Sequence, residues 1–305
     1  MKDTILLVGH GSREVAGNIA IEEFATQLRV RQPQWHVEVC FIEFADVLLR
    51  QGFDNAAAHA AQHSGKVVVL PLILNAAGHV KGDIPRALAA ARQRHPHVQF
   101  DCTPHLGAND EMLKILRRNL RKAMHALDMP DPLGTGVIVL GRGSSDRKAN
   151  GEMAKMARWL WEECDHELVD IAFTGITYPR LERVVQRHVK LGMTQIVVLP
   201  YYLYTGTLMM RIERQVQHVI KQYPQVRFAH TSFMGFEPEI FDLLAQRVEK
   251  WRQGAPHSVV NYDPAACAHH HHHGDDHGHD HHHHEGHDHH HHHDEHGHCD
   301  HDHKH

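Results

Sequence analysis

Short apolar runs alternate along this chain with longer stretches in which apolar residues recur at helical spacing. The clearest runs are ILLV at 5–8 and KVVVLP at 66–71, which have the length and composition of strands buried on both faces. Because strands and helices alternate, we expect an α/β fold with a parallel sheet covered by helices on both sides. The first half is predicted to have strands at 5–8, 36–42, 66–71 and 98–102, and helices near 13–31, 47–63, 84–95 and 109–127.

The same pattern starts again after residue 134. GVIVLGRGS at 136–144 repeats the opening at an offset of 132, and QIVVLP at 195–200 repeats KVVVLP at an offset of 129. Residues 169–173 repeat the second strand, and residues 226–235 repeat 98–107 at an offset of 128. Matched landmarks in the same order predict two tandem copies of one three-layer, parallel-sheet domain. The predicted boundaries are 1–128 for the first copy, 134–253 for the second and 254–305 for a disordered tail.

The first strand leads into the turn Gly9-His10-Gly11-Ser12. This turn would place His10 at the carboxyl end of a parallel strand, where open α/β sheets bind their ligands. Gly9 and Gly11 allow a sharp bend and a close approach of the backbone to a ligand. Ser12 is expected to cap a helix that begins at Arg13, and the free backbone amides in the first turn of that helix would suit an anion. The alternative is that His10 is a turn residue without a function.

Two further candidate ligands follow the next two strands. Glu43 comes directly after the second strand, and His79 lies with Gly78 in the long loop LILNAAGHVKGDIP after the third. In the same loop, Asp83 is expected to cap the next helix, with Pro85 in its first turn. The alternatives are a solvated strand-end charge for Glu43 and an ordinary loop histidine for His79.

The repeat supplies an internal comparison for these candidates. The equivalent pairs are His10 and Arg142, Glu43 and Gly175, and His79 and Leu208. The second copy keeps the scaffold and loses all three side chains, which structural roles alone would not explain. Two imidazoles and a carboxylate suit a first-row metal such as Co, Ni, Fe or Zn. We therefore predict one metal-binding and catalytic site, formed by His10, Glu43 and His79 in the first copy only.

Charge and cysteine content narrow the function classes. The net charge is −5, but residues 269–305 hold nine acidic residues and one lysine, which leaves 31 basic against 28 acidic residues in 1–268. Residues 1–268 are mildly basic, which suits a small polyanionic ligand. They lack the strong positive charge that is typical of a nucleic-acid-binding protein. Five scattered cysteines without a CxxC pair argue against a disulfide framework or a zinc knuckle. Without a membrane-length apolar run or a signal peptide, we expect a cytoplasmic protein with no membrane partner.

The motifs LLVGHGS, FIEFAD and PLILNAAGHVKGDIP, in this order, resemble those of the class II tetrapyrrole chelatases. The resemblance is to the long, two-domain sirohydrochlorin cobaltochelatases of the CbiX type and covers about residues 1–250, including the degenerate second copy. It implies ATP-independent insertion of Co²⁺ into sirohydrochlorin, early in cobalamin biosynthesis, at His10, Glu43 and His79. Insertion of iron or nickel is the alternative within this class. A metallochaperone or metal store is the alternative from another class.

The resemblance also implies partners and cofactors. Sirohydrochlorin and a divalent metal are the expected partners: Co²⁺ is the substrate metal, Ni²⁺, Fe²⁺ or Zn²⁺ are alternatives, and no cofactor is needed for catalysis. Some long relatives carry a CxxC pair for an iron–sulfur cluster, whereas Cys267 and Cys299 here are 32 residues apart, so we expect no cluster. We expect a monomer with internal pseudo-two-fold symmetry.

Several residues are candidates to contact the tetrapyrrole. Those expected to do so through the backbone or a hydroxyl are Gly9, Gly11, Ser12 and Gly78. Arg13 and Lys81 are candidates to hold its carboxylates, although such residues are usually solvated surface charges. The cleft between the copies is a natural place for a large flat ligand. Tyr201, Tyr202 and Tyr204 are candidates to line that cleft, although packing is the expected role of at least two of them.

The C-terminal segment has a different composition. From His269 onward, 22 of 37 residues are histidine, nine are acidic and four are glycine, so the segment cannot bury a core. A simple purification tag would lack the interspersed Asp, Glu and Gly. We interpret the tail as a metal-binding segment for Co²⁺, Ni²⁺ or Zn²⁺ that either delivers metal to the active site or sequesters excess metal.

Overall fold

The structure, a computed structural model, describes residues 2–75 and 77–254, without the side chain of His79. The predicted tail, apart from Gly254, therefore lies outside the described residues. The first copy contains β1 (Asp3–Gly9), α1 (Val15–Arg31), β2 (Trp35–Phe41), α2 (Leu49–Ala61), β3 (Lys66–Pro71), α3 (Ile84–Arg94), β4 (Gln99–Cys102) and α4 (Asp110–Ala126). The second contains β5 (Thr135–Gly141), α5 (Arg147–Glu162), β6 (Leu168–Phe173), α6 (Leu181–Lys190), β7 (Gln195–Pro200), α7 (Thr207–Gln222), β8 (Arg227–His230) and α8 (Pro238–Arg252).

Each copy contributes a four-stranded sheet to the described part of the chain. The strand order is β2-β1-β3-β4 in the first sheet and β6-β5-β7-β8 in the second, and all neighbouring strands are parallel. The central strands β1 and β5 are almost completely buried, as a sheet covered on both faces requires. The predicted fold class of two tandem parallel-sheet α/β copies is confirmed.

The two copies share a central hydrophobic core. Side chains from the inner faces of both sheets and from α1, α4, α5 and α8 form one cluster, and smaller clusters lie under the outer helices of each sheet. The C-terminal helices are exchanged, because α4 packs against β7 and β8 while α8 contacts β3. The indole Nε1 of Trp251 on α8 donates a 2.8 Å hydrogen bond to Asp101 on β4. Each sheet is thus completed by a helix from the other copy.

Two predicted helix caps are wrong. Helix α1 begins at Val15 with Glu14 as its N-cap, and the Ser12 hydroxyl accepts the Glu14 amide in a short turn ahead of the helix. Asp83 already has helical backbone angles and makes no side-chain cap hydrogen bond, because a π-helical turn runs directly into α3. Pro85 lies in the first turn of α3, as predicted.

Within residues 2–75 and 77–254, none of the helices combines the length and the apolar character needed to cross a membrane.

Candidate functional site

The turn that carries His10 is held against the loop after β2. Gly11 has a φ of +93°, and a β-carbon there would lie 1.7 Å from the carbonyl oxygen of Glu43. The amide of Glu43 in turn donates a 3.1 Å hydrogen bond to the carbonyl of His10. Because the two loops touch through their backbones, His10 and Glu43 are fixed beside each other at the carboxyl ends of adjacent strands.

Asn18 in the first turns of α1 stabilises this arrangement. The Ser12 amide donates to Asn18 Oδ1 at 2.9 Å, and Asn18 Nδ2 donates to the carbonyls of Ser12 and Phe44 at 3.1 and 2.7 Å. Asn150 makes the equivalent pair of bonds with Ser144 in the second copy. Asn18 was not among the predicted site residues, although its repetition as Asn150 at the offset of 132 was a signal that could have identified it.

His10 and Glu43 are the two predicted metal ligands whose side chains the structure describes. Nδ1 of His10 lies 3.6 Å from Oε1 of Glu43 and 3.2 Å from the carbonyl of Gly11. The His10 side chain is 25% exposed and that of Glu43 is 36% exposed, so both are accessible from solvent. A neutral imidazole beside a carboxylate can bind a divalent metal, and either group can accept a proton.

The third predicted ligand begins a π-helical turn. The turn spans His79–Asp83, directly after Gly78. The His79 side chain lies outside the described residues, so its approach to His10 and Glu43 stays a prediction. Among the residues that the structure describes, no group of three or more His, Cys, Asp or Glu is arranged to hold a metal.

The π-helical turn marks a difference between the copies. The offset between equivalent residues is 129 from Pro71 to Pro200 and 128 from buried Ile84 to buried Ile212. The first copy therefore has one extra residue between these points, and α7 continues there without a π turn. A π-helical turn accommodates an extra residue in a helix and is frequent at functional sites. The insertion lies where the sequence predicts the third ligand.

Side chains and loops of the second copy reach the first-copy turn. The Tyr204 hydroxyl hydrogen-bonds to the backbone of His10, and burial raises the pKa of this tyrosine to about 12 although the hydrogen bond opposes the rise. The segment Thr205–Gly206 packs against Ser12 and Gly17. One of the predicted cleft tyrosines therefore contacts the site.

The other two tyrosines have structural environments. Tyr201 is 3% exposed and lies in the shared core, so it cannot line a cleft. Tyr202 packs within the second copy, where its hydroxyl lies 3.3 Å from that of Thr174. The expectation that at least two of the three tyrosines are packing residues is confirmed, because the LPYYLY segment turns these two side chains into the packed interior.

The two basic residues expected near the tetrapyrrole differ in environment. Lys81 makes a short ion pair with Asp146 of the second copy. Partial burial raises the pKa of Asp146, but hydrogen bonds from Lys81 and from the Lys148 amide lower it below its ordinary value. Lys81 thus ties the π-helical turn to the second copy, and its charge is balanced. The guanidinium of Arg13 lies 4.9 Å above the exposed ring of Phe44, next to Glu43.

A cavity of about 750 Å³ lies beside Phe44. It is bounded by α1 and the loop after β2, and its walls include Val15, Ile19, Phe44 and Val47. Because its lining comes from the first copy alone, this cavity is not the predicted cleft between the copies.

Comparison with known proteins gives a consistent result. The family model CbiX matches residues 4–123 and again residues 136–251. A sirohydrochlorin cobaltochelatase of Priestia megaterium is 38% identical over 255 residues, covering 82% of this chain and 80% of the relative. A sirohydrochlorin ferrochelatase of Bacillus subtilis (strain 168) is 28% identical, covering 86% of this chain and 96% of the relative.

A solved structure agrees with these relatives. The crystal structure of the sirohydrochlorin chelatase SirB from Bacillus subtilis subspecies spizizenii in complex with cobalt is similar to this fold, with a TM-score of 0.67 at 26% identity. The similarity covers 83% of this chain and 97% of that one. With the family model matched in both copies, the chain belongs to the CbiX family.

Proposed function

We propose that this protein is a sirohydrochlorin cobaltochelatase, which inserts Co²⁺ into sirohydrochlorin without ATP at an early step of cobalamin biosynthesis. The observation that carries the proposal is the pair of His10 and Glu43, whose side chains lie 3.6 Å apart at the carboxyl ends of β1 and β2. The 38% identical relative from Priestia megaterium bears this activity in its name.

The chain's own residues have a limited chemical task. The metal is a substrate, so it must be held weakly enough to be released into the ring. His10, Glu43 and His79 would bind Co²⁺ and replace part of its water shell. The two pyrrolic N–H protons must leave as the metal enters, and a neutral imidazole or the Glu43 carboxylate can accept them. Gly9, Gly11, Ser12 and Gly78 are the proposed backbone contacts to the tetrapyrrole.

Insertion of a different metal is the alternative within the same class of enzyme. The relative from Bacillus subtilis is named a ferrochelatase, and an imidazole and carboxylate ligand set accepts Fe²⁺ and Ni²⁺ as well as Co²⁺. A metallochaperone or metal store is the alternative of a different class. Storage would not require His10 and Glu43 to be confined to one copy, and we therefore favour the enzyme.

The assay mixes purified protein with metal-free sirohydrochlorin and Co²⁺, Fe²⁺, Ni²⁺ or Zn²⁺ under anaerobic conditions, without ATP, and follows absorbance. We expect many turnovers per protein and the highest rate with Co²⁺. A higher rate with Fe²⁺ or Ni²⁺ would assign the enzyme to that metal. If the protein binds metal but does not raise the rate of insertion above that in protein-free buffer, it is a metal store.

We also propose that the protein acts in the cytoplasm as a monomer, without an iron–sulfur cluster or other cofactor. The shared core supports the monomer, since the internal repeat already brings two similar copies together. Sedimentation equilibrium tests the oligomeric state. Iron and sulfide analysis of anaerobically purified protein tests the absence of a cluster.

A further inference from the structure

The second copy keeps the backbone of the metal-site turn but changes its chemistry. Gly143 has a φ of +86°, close to the value at Gly11, and the Gly175 amide donates to the Arg142 carbonyl at 3.1 Å. This is the hydrogen bond that Glu43 and His10 make in the first copy. Arg142 thus takes the position of His10 in the turn, and Gly175 takes the position of Glu43.

Arg180 brings a second guanidinium to the same place. It is the N-cap residue of α6, as Leu48 is of α2, and the two residues form equivalent bridges to Phe173 and Phe41. Nη1 of Arg180 lies 3.6 Å from the position of a β-carbon at Gly175. The guanidinium therefore lies where the side chain of Glu43 begins in the first copy.

Arg211 adds a third positive charge. It directly precedes Ile212, which is buried like Ile84, and so occupies the position of Asp83. Burial raises the pKa of Tyr202, and a hydrogen bond from Thr174 and the charges of Arg142 and Arg211 oppose this rise. Gln215, one turn after Arg211 on α7, donates a 3.4 Å hydrogen bond to the Thr174 carbonyl, so this end of α7 lies beside the turn of the second copy. Three positions that hold an imidazole, a leucine and a carboxylate in the first copy hold arginines in the second.

These arginines have no carboxylate partners among the described residues. No ion pair involves Arg142, Arg180 or Arg211 within 2–75 and 77–254, whereas Arg118 and Arg252 pair with Glu237 and Asp3. Arg142 and Arg211 are exposed, and Arg180 is half-buried. Unpaired guanidiniums bind carboxylates well, because their planar donors match both oxygens of the anion.

The loop that carries Arg142 contacts the π-helical turn of the first copy. Asp146, four residues after Arg142, forms the ion pair with Lys81 of the π-helical turn. Tyr178, 74% exposed, lies with its ring 4.7 Å from the Arg180 guanidinium and offers an aromatic surface beside the charges. A ligand that is flat and rich in carboxylates would match these features.

We propose that Arg142, Arg180 and Arg211 form a carboxylate-binding site that holds side-chain carboxylates of the tetrapyrrole while His10 and Glu43 handle the metal. This inference rests on the proposed function, since sirohydrochlorin supplies the flat ring with eight carboxylates. The turn of the second copy is then a substrate-binding site, which binds an anion where the equivalent turn of the first copy binds a cation.

The test replaces each arginine by glutamine, singly and together, and measures binding of metal-free sirohydrochlorin by fluorescence. One lost charge-assisted bond should weaken binding about tenfold, and the triple variant should lose more. KM should rise with kcat nearly unchanged, and the salt dependence of binding should decrease. Arg183→Gln on α6 and Arg214→Gln on α7 are matched controls, and circular dichroism verifies that every variant folds.

Two further probes identify the ligand. Uroporphyrin, with eight carboxylates, should bind in an arginine-dependent manner, whereas deuteroporphyrin, with two, should not. Citrate tests a free polycarboxylate, and arginine-dependent citrate binding without arginine-dependent tetrapyrrole binding would contradict the assignment. Normal sirohydrochlorin binding by the triple variant would also overturn it, while metal insertion by the wild type would still support the proposed function. Arginine-dependent tetrapyrrole binding without insertion of any metal would support the carboxylate-binding site and contradict the proposed function.

Discussion

Gly11 lies so close to Glu43 that the first has no room for a side chain. A β-carbon at Gly11 would be 1.7 Å from the Glu43 carbonyl oxygen and 2.8 Å from its carbonyl carbon. Since these atoms belong to the main chain, no side-chain rotation could relieve the collision. The glycine in the GHGS turn therefore determines how near the His10 loop and the Glu43 loop can come.

We predict that Gly11→Ala damages the site more than it damages the fold. The substitution must push the Glu43 loop away and also strain a positive φ, at a stability cost of about 1–3 kcal/mol. Metal insertion should fall by more than about tenfold, because a displacement of about 1 Å at a reacting centre can lower the rate about 100-fold. The measurements are the initial rate and the free energy of unfolding.

Gly65→Ala is the matched control, because Gly65 has a φ of +68° but open space around its β-carbon position. It should lose stability from backbone strain alone and keep its activity. Equal activity of the two variants would show that the contact between Gly11 and Glu43 does not position the site.

The three predicted ligands should differ in sensitivity. His10→Ala and His79→Ala should each abolish most metal insertion and leave the melting temperature nearly unchanged, because His10 lies in the turn after β1 and His79 begins the π-helical turn after β3, both outside the sheets. Glu43→Gln should impair the reaction less, since the amide can still orient a metal or a water. His97→Ala is the control, because His97 is exposed and precedes β4, at the opposite edge of the sheet from the predicted site. Near-normal rates for both histidine variants would contradict the site assignment.

The sequence predicts the buried strands best. The strands β3 and β7 have the same first and last residues as the predicted runs at 66–71 and 195–200. A continuous apolar run needs burial on both faces, and few arrangements provide it. The pairing of His10 with Glu43 also follows from sequence, because both residues follow strands and the carboxyl ends of parallel strands lie at one edge.

Features that depend on three-dimensional contacts were not predictable in this way. The π-helical turn at His79–Asp83 is a one-residue change that helical periodicity is too coarse to resolve. The start of α1 was predicted at Arg13, after Ser12, but lies at Val15, after Glu14, because the sequence is compatible with a helix from either position. The exchange of α4 and α8 escaped detection, since an apolar helix face shows that burial occurs but does not identify the sheet that it covers.

The exchanged helices should make the two copies unfold together. Phe241 on α8 is 3% exposed and stacks on Phe24 of α1, with ring centroids 4.3 Å apart. Phe241→Ala should therefore lower the free energy of unfolding by about 3–5 kcal/mol through lost burial and a cavity. Leu191→Ala, at a position that is 66% exposed, should change it little. Urea titration followed by tryptophan fluorescence and by circular dichroism measures both variants.

The same titration tests cooperativity. A single transition that shifts to lower urea in Phe241→Ala is expected, because the central cluster contains side chains from both sheets. Separate transitions, of which only one responds to the substitution, would show that the copies are independent folding units.

A stack of three histidines should make stability depend on pH. The His59 ring lies between His36 and His63, at centroid distances of 3.5 and 4.1 Å, and its Nδ1 lies 2.8 Å from the Thr4 hydroxyl. Burial lowers the pKa of His59 below its ordinary value of 6.5, and the neighbouring histidines and Lys2 lower it further, while Glu38 opposes the shift.

Because the folded pKa is depressed, the unfolded chain binds this proton more readily. The stability that neutral His59 contributes is present above pH 6.5 and is lost as the pH falls toward the folded pKa. The free energy of unfolding, measured by urea titration from pH 8 to 5, should decrease below pH 6.5, and His59→Gln should reduce this slope. His97→Ala should leave it unchanged. An identical slope in His59→Gln and wild type would show that another group is responsible.

The histidine-rich segment from residue 269, outside the described residues, should matter only when metal is scarce. Neutral imidazole is the ligand, so protons and metal compete for the same nitrogens, and metal binding by the segment should collapse below about pH 6.5. Removal of 269–305 should leave the insertion rate unchanged at saturating Co²⁺ and lower it at limiting Co²⁺, because many weak sites raise the local metal concentration. The measurement is the initial rate against buffered free Co²⁺ for the full-length and the truncated chain. Coincident curves at low Co²⁺ would exclude delivery to this site and leave storage or detoxification as the better account.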